Sequence, residues 1–270
     1  MLELRDIRLV YNGGSPTEVV AIDHLDLRFA PGEFVTVVGT NGAGKSSTIQ
    51  IVSGACRPTA GRVVLDGRDV TRWPDYRRAG LVARVFDNPQ VGTLPELTIA
   101  DNMSLALARG RRRRLRFAQS AQRRRVMRER LSHLGLGLED RLDDPVSLLS
   151  AGQRQSLTMV MAGLGDPKVL LLDEHLAALD PGTQGKVLAL TRRLVAEFGS
   201  MTLMVTHNME HAIMLGDRLL VMSRGRVIAD FRGAEKRALT VETLIEHITG
   251  AGDAVSDRLA LAETAGEARR

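Results

Sequence analysis

The stretch that most constrains this chain is residues 39–47, which read GTNGAGKSS. They follow five apolar or β-branched residues, 34–38, and precede a run whose composition suits a helix. The spacing G-x-x-x-x-G-K-S between a strand and a helix is typical of the phosphate-binding loop of nucleoside triphosphatases. A glycine-rich turn with a chance lysine is the alternative, and the flanking strand and helix disfavour it. The sequence therefore predicts a site for a nucleoside triphosphate.

Each part of this loop has an expected contact. Glycines let several backbone N–H groups turn towards phosphate oxygens, and the following helix adds its positive N-terminal end. The Lys45 ammonium would reach the outer phosphates, and the Ser46 hydroxyl would hold Mg²⁺. The residues expected to contact the nucleotide are Gly39, Asn41, Gly42, Ala43, Gly44, Lys45, Ser46 and Ser47.

Length and composition fit one α/β domain with an inserted lobe. The chain has 270 residues and is 44% apolar, which is the range of globular proteins with a sizeable core. No apolar run approaches eighteen residues, so we expect neither a membrane span nor a signal peptide. The single cysteine, Cys56, excludes an internal disulfide and a cysteine metal cluster, and indicates a reducing, cytoplasmic setting.

The formal net charge is +5, and much of the excess lies in the arginine-rich residues 109–130. Such a block could contact nucleic acid or anionic lipid, or it could be a solvated connector. Aromatic residues make up only 3% of the chain, so stacking platforms for single strands are scarce. We therefore favour the solvated connector and expect no nucleic-acid partner.

Hydrophobic periodicity predicts the order of the elements. Alternating residues at 2–10 and 19–29 indicate strands of a small antiparallel sheet, while 81–86, 169–172 and 202–206 suit the buried strands of a main sheet. Between residues 97 and 164 the apolar period becomes helical. We therefore predict a single domain over residues 1–249, with a core at 1–88 and 165–249 and a helical lobe at 89–164. Residues 250–270 are small and polar and are expected to be frayed.

An acidic pair, Asp173-Glu174, ends the strand at 169–172. After a phosphate loop, such a pair has a specific use: Asp173 would hold Mg²⁺, and Glu174 could polarise the water that attacks the γ-phosphorus. The alternative is a pair of helix N-cap carboxylates. His207 similarly ends the strand at 202–206, where it could contact the γ-phosphate or be an ordinary loop histidine. Tyr11 could stack on a base or be a half-buried strand aromatic.

Six motifs occur in order along the chain: GTNGAGKSS, VFDNP, LSAGQRQ, LLLLDEH, AALDP and TH. Together they resemble the ATP-binding cassette (ABC) ATPases over nearly the whole chain to about residue 249. The resemblance implies the phosphate-loop fold of that family, with a mixed core sheet, an N-terminal antiparallel subsheet and an inserted helical subdomain. It also implies that two copies enclose two ATP molecules head to tail.

The resemblance assigns further roles to individual residues. Ser150 would cap a signature helix that, with Gly152 and Gln153, faces the γ-phosphate of ATP held by a second copy. His207 matches the switch histidine and Tyr11 the aromatic residue that stacks on adenine. Asp180 matches the loop that couples the two ATP sites.

Within the family, RVFDNPQVGT and DEHLAALDP are similar to the ATPase subunits of tryptophan/tyrosine uptake systems. That similarity implies a separate membrane permease, an extracytoplasmic solute-binding protein and a position at the cytoplasmic face of the membrane. The solute, an aromatic amino acid or a related small organic molecule, follows by analogy alone.

Three positions depart from the family pattern. Asp87 stands where the family usually has a glutamine, and an ionised carboxylate can ligate Mg²⁺ but cannot donate a hydrogen bond; Gln90 is a weak candidate to compensate. Ala151 replaces a signature glycine, and Leu176 replaces a threonine or serine. Because the phosphate loop, Asp173, Glu174 and His207 are all intact, we expect a slow but active ATPase.

Three alternatives remain open. An ABC ATPase acting on ribosomes or DNA would explain the arginines, but such proteins carry two cassettes or long coiled coils. A degenerate cassette that uses ATP as a clamp would explain Asp87. The third alternative is the ATPase of an exporter, because a cassette sequence distinguishes export from import only through its resemblance to a known family.

Overall fold

The computed structural model describes residues 1–110 and 120–250. Its strands are β1 (Leu2–Tyr11), β2 (Val19–Phe29), β3 (Phe34–Gly39), β4 (Ala60–Leu65), β5 (Arg68–Asp69), β6 (Val82–Val85), β7 (Val169–Asp173), β8 (Met201–Val205), β9 (Arg218–Ser223) and β10 (Arg226–Arg232). Its α-helices are α1 (Lys45–Ser53), α2 (Asp75–Arg78), α3 (Ile99–Leu107), α4 (Ala121–Ser132), α5 (Ala151–Gly163), α6 (Pro181–Phe198), α7 (Met209–Met214), α8 (Gly233–Arg237) and α9 (Val241–Gly250).

The chain forms two compact units. The first combines Met1–Asp75 with the residues from Met201 onward, and the second is Tyr76–Ser200. In the first unit, β1 pairs antiparallel with β2 on one edge and β4 on the other, which confirms the predicted N-terminal antiparallel sheet. The sheet forms because β1 alternates in two stretches, in which Leu2 and Leu4, and then Ile7 and Leu9, are buried with a polar residue between the members of each pair.

A second set of strands in the first unit surrounds β3. All six residues of β3 are buried, and it pairs in parallel with β8 and with β9. Such continuous burial explains why β3 and β8 consist almost entirely of apolar and β-branched residues. Strands β9 and β10 pair antiparallel and form a hairpin about residues 223–225. The strands around β3 are therefore both parallel and antiparallel, and β3 and β8, which are parallel, lead to the predicted site residues Gly39 and His207.

The second unit contains the parallel pair β6 and β7 and the helices α3 to α6. The helical period predicted for its middle part is confirmed: Met127 and Leu131 of α4 are buried, as are Leu157, Val160 and Met161 of α5. Helix α6 is an addition that the sequence analysis did not predict, although Asp180 caps it and Pro181 occupies its first turn. The predicted subdomain boundary at 89–164 stays a prediction.

Two predicted segments lie wholly or partly outside the described residues. The arginine-rich block at 109–130 is described only at Arg109, Gly110 and from Ser120 onward, where α4 begins. The tail beyond Gly250 is not described. In the part of the chain that the structure covers, no helix is both long and apolar enough to span a bilayer.

Candidate functional site

The phosphate loop joins β3 to α1 in the first unit. Gly39 has φ 150°, and a side chain there would collide with the carbonyl of Met222 on the neighbouring strand. Gly44 has φ 98°, and a Cβ atom would lie 2.6 Å from the Ala21 carbonyl oxygen. Glycine is therefore required at both ends of the loop by space as well as by backbone conformation.

Lys45, the first residue of α1, turns back over the loop. Its side chain is 7% exposed, and its ammonium donates to the carbonyl oxygens of Gly39 at 2.7 Å and Thr40 at 2.9 Å. Ser46 follows it and is exposed. The loop thus concentrates a buried positive charge and the N-terminal end of a helix at one place, which suits an anion.

Tyr11 and His207 belong to the same unit. The Tyr11 hydroxyl lies 3.4 Å from both the Ser47 hydroxyl and the Gln50 side-chain oxygen, so this ring sits beside the first turns of α1. His207 follows β8 by two residues, and Val205 of β8 is level with Val37 of β3. Because β3 and β8 are parallel, His207 and Gly39 emerge at the same edge of the sheet.

In the second unit, the acidic residues also converge. Val85 of β6 is level with Leu172 of β7, so the parallel strands deliver Asp87 and the Asp173-Glu174 pair to one edge. Glu174 has φ 46°, a left-handed conformation that is uncommon for a residue with a side chain. Strained backbone of this kind is concentrated at functional sites.

Arg84 provides the positive charge among these carboxylates. Its guanidinium lies 2.6 Å from the Asp173 carboxylate and 4.5 Å from the centre of the Phe86 ring. Burial raises the pKa of Asp173, and the Arg84 guanidinium opposes that rise. The negative charges of Glu174 and Asp87 add to it. Asp173 therefore sits in an electrostatic environment that favours a bound cation.

The LSAGQRQ segment starts helix α5. The Ser150 hydroxyl accepts from the Gln153 backbone N–H at 3.3 Å, and the Gln153 side chain accepts from the Ser150 N–H at 3.1 Å, forming a capping box. A side chain at Gly152 would collide with Thr183 of α6. Asp180 caps α6 by accepting from the Thr183 N–H, and its hydrogen bonds to Thr183 lower the pKa of Asp180. Gly152 and Asp180 are thus linked through Thr183.

Comparison with known proteins decides the family. The family model for the ABC transporter matches residues 22–177. This chain belongs to the ABC transporter family. It is 40% identical over 248 residues to the tyrosine transport ATP-binding protein of Clostridioides difficile (strain R20291), covering 91% of this chain and 98% of that relative. The predicted family and ATPase activity are therefore confirmed.

Other relatives and solved structures are less similar to this chain in sequence. The chain is 34% identical over 228 residues to the methionine import ATP-binding protein of Corynebacterium efficiens (strain DSM 44549), covering 84% of this chain and 61% of that protein. A dimeric post-hydrolysis structure of the ATP-binding cassette MJ0796 with ADP and phosphate is 27% identical, with a TM-score of 0.72 over 86% of this chain and 98% of the other. The cassette MJ1267 has a TM-score of 0.76 over 92% of this chain and 98% of its own, but at 23% identity it supports the fold alone.

Three contacts in the second unit of this ABC ATPase involve residues that no sequence motif marked as functional. Arg84 was not singled out, although an arginine inside a buried strand is a signal for a charged partner. Gln155 is fully buried and donates to two backbone carbonyls. His175 lies 2.9 Å from the Thr191 hydroxyl through its Nε2 atom. All three sit next to residues that were predicted as functional.

Proposed function

We propose that two copies of this ABC ATPase enclose two ATP molecules and drive uptake of a small organic solute through a separate permease. An aromatic amino acid is supported as the solute by the similarity to the tyrosine transport ATP-binding protein, because the match covers 98% of that relative's length. The presence of Lys45, the Asp173-Glu174 pair and His207 supports this motor role, in which ATP hydrolysis drives transport, while Asp87 departs from the family pattern. The ATPase would lie peripherally at the cytoplasmic face of the membrane, with a solute-binding protein on the other side.

Lys45 is the first of these catalytic groups. Its ammonium is held by the Gly39 and Thr40 carbonyls and would exchange them for the outer phosphate oxygens of ATP. Because the side chain is buried, its charge acts with less screening than a surface lysine would. The loop glycines, Asn41, Ala43 and Ser47 would direct N–H groups at the phosphates, and the Tyr11 ring would stack on adenine.

Magnesium suits the donors that the chain offers. Asp173 supplies a carboxylate, Ser46 a hydroxyl and Asp87 a second carboxylate, and all are the hard oxygen ligands that Mg²⁺ prefers. Within the described ranges, no group of three or more His, Cys, Asp or Glu side chains is arranged to hold a metal ion by itself. Phosphate oxygens and water would complete the shell. When bound, the ion would neutralise charge on the β- and γ-phosphates.

Glu174 would act as the general base. Its carboxylate would accept a proton from the attacking water, and its left-handed backbone would fix the direction of the side chain. His207, level with the start of the phosphate loop, would contact the γ-phosphate. From the second copy, the N-terminal end of α5, with Ser150, Gly152 and Gln153, would supply positive potential, and Asp180 would couple the two sites.

A surface in the second unit suits the permease. A cleft of about 200 Å³ is lined in part by Val91, Leu94, Leu105 and Met161. Val91 is 61% exposed, Leu94 50% and Leu105 52%, so apolar side chains face solvent together at this cleft. Exposed apolar patches of this kind favour a protein partner.

The test of the motor role is steady-state ATP hydrolysis with Mg²⁺ by wild type beside Glu174→Gln and Lys45→Ala. We expect Glu174→Gln to keep ATP affinity, lose nearly all turnover and accumulate as a dimer with ATP. Lys45→Ala should lose nucleotide affinity. Hydrolysis by Glu174→Gln at the parent rate would reject the general-base assignment, and unchanged ATP affinity of Lys45→Ala would reject the phosphate-loop assignment.

The solute requires a cellular measurement. Cells that depend on this ATPase should take up labelled tyrosine or tryptophan with the wild-type chain and not with Glu174→Gln. Uptake that is equal with both variants would reject the aromatic amino acid. Net efflux driven by the wild type would indicate the exporter alternative.

Asp87 supports a second candidate function, an ATP-dependent clamp with little turnover. The Asp87 carboxylate adds negative charge beside Asp173 and cannot donate a hydrogen bond to phosphate or water. The comparison of wild type with Asp87→Gln separates the candidates. A silent wild type whose turnover is restored by Asp87→Gln would favour the clamp, whereas an active wild type supports the motor.

A further inference from the structure

Gln155 lies in α5, five residues after Ser150, and its side chain is fully buried. A buried polar side chain requires partners, because an unpaired amide inside a protein is costly. The backbone around it is also fixed: the Thr158 hydroxyl donates to the Gln155 carbonyl at 2.8 Å. The direction of the Gln155 amide is therefore determined by packing and not by solvent.

The two hydrogens of this amide go to two different loops. Gln155 Nε2 donates to the Phe86 carbonyl oxygen at 3.1 Å and to the His175 carbonyl oxygen at 2.7 Å. These partners are separated from Gln155 by 69 and 20 residues of sequence. A single NH₂ group therefore joins three segments of the second unit. Only a primary amide of this length supplies both donors without a charge.

Each partner is adjacent to a proposed catalytic residue. Phe86 directly precedes Asp87, and His175 directly follows Glu174. A displacement of the Phe86 or His175 carbonyl moves the neighbouring peptide, and with it the carboxylate that has to meet the nucleotide. Small misplacements of reacting groups can change rates by large factors.

We propose that Gln155 is a positioning residue, which couples the signature helix α5 to the Asp87 and Glu174 loops of the same chain. When the start of α5 docks against ATP held by the second copy, its shift passes through Gln155 to the groups that serve the first copy's own ATP. This adds a path between the two sites through the interior of each second unit. The proposal rests on the paired arrangement described under the proposed function.

The main variant is Gln155→Met, which keeps the length and burial of the side chain and removes both donors. The matched control is Gln122→Met on the exposed surface of α4. We expect kcat of Gln155→Met to fall about tenfold or more while ATP affinity, measured with a fluorescent analogue, changes less than about twofold. Gln122→Met should match wild type in both measurements.

A second variant separates positioning from folding. Gln155→Glu places a carboxyl group against two carbonyl oxygens, and only its protonated form has a hydrogen to donate. Burial raises the pKa of a carboxyl group towards neutral pH. The hydrolysis rate of Gln155→Glu relative to wild type should therefore decline as pH rises from about 6 to about 8. Both proteins are assayed at a temperature well below their unfolding transitions. A role in packing alone would lower the unfolding temperature without this pH profile.

Glu174→Gln is measured in the same series. If Glu174→Gln is inactive and Gln155→Met turns over at the wild-type rate, the positioning role is rejected and the proposed function stands. If Glu174→Gln turns over at the wild-type rate, the proposed base itself is wrong. An equal loss of ATP affinity and kcat in Gln155→Met would also overturn the proposal, because the residue would then act on binding.

Discussion

Removal of Arg84 should show how much of the folding stability of this chain depends on the guanidinium that pairs with Asp173 in the second unit. Arg84 and Asp173 side chains are only 20% and 13% exposed, and their charged groups are 2.6 Å apart. Two unit charges about 4 Å apart attract by about 4 kcal/mol at an effective dielectric constant of about 20. Loss of one partner from a fully buried pair costs about 3–5 kcal/mol, and the residual exposure here reduces that to about 2–3 kcal/mol.

The variant for this test is Arg84→Met, which retains an apolar contact with the Phe86 ring. The control is Arg124→Met, because Arg124 makes a comparable pair with Asp143 at 2.6 Å, but the Asp143 side chain is 78% exposed. Exposed pairs contribute about 0.2–1 kcal/mol. Urea unfolding followed by circular dichroism should therefore show a loss for Arg84→Met at least twice that for Arg124→Met.

The same experiment has two further outcomes that check the reasoning. The loss in Arg84→Met should shrink at acid pH, where a protonated Asp173 needs no partner, and Asp173→Asn should remove most of it. Added Mg²⁺ with ATP should stabilise Arg84→Met more than wild type, since the ion would replace the missing charge. The electrostatic account is refuted if Arg84→Met and Arg124→Met lose equal stability.

Three other predictions concern single residues. Gly44→Ala should abolish nucleotide binding or destabilise the fold far more than Gly42→Ala. A Cβ atom at position 42 meets no atom within 4 Å, so Gly42→Ala should cost only the about 1–2 kcal/mol that comes from its backbone angle. Equal losses of stability in urea unfolding would contradict the steric argument. Ser150→Ala and Ser120→Ala each remove an N-cap. Each should cost about 1 kcal/mol, but only Ser150→Ala should slow ATP hydrolysis. Burial lowers the pKa of Lys236 to about 8. The unfolded chain then binds more protons above that pH, so wild type should gain up to about 3 kcal/mol over Lys236→Met between about pH 8 and 10.5. A stability difference between wild type and Lys236→Met that stays constant over this pH range would show that the pKa of Lys236 is not lowered.

Local chemistry made the phosphate loop and the strand ends predictable from sequence. Glycine spacing, an apolar strand and a following lysine define a loop that needs no distant information. The placement of Asp173 and His207 followed for the same reason, because buried parallel strands end in loops at one edge of a sheet. The start of the signature helix at Ser150 was predicted from the family resemblance, and the structure adds a local cause, the capping box between Ser150 and Gln153.

The contacts of Arg84 and Gln155 could not be predicted in this way. Arg84 pairs with a carboxylate 89 residues away, and one of Gln155's acceptors is a backbone carbonyl 69 residues away, so no local pattern identifies either partner. Helix α6 is a different case. Its buried positions Val187, Leu188, Thr191, Leu194 and Val195 have helical spacing, and the Asp180-Pro181 start is a strong signal. For α6, unlike Arg84 and Gln155, the local sequence alone therefore contains enough information to predict the element.

The pairing of β3 has a consequence for how the protein is made. Both neighbours of this strand, β8 and β9, begin at Met201 or later, whereas β3 ends at Gly39. During synthesis on the ribosome, more than 160 further residues must therefore be added after β3 before this strand can pair with β8 or β9. At about 5–20 residues per second that delay is on the order of 10–30 s. During this interval the β1–β2 hairpin can already form, while the most hydrophobic strand of the first unit remains available to chaperones or to misassociation with other nascent chains.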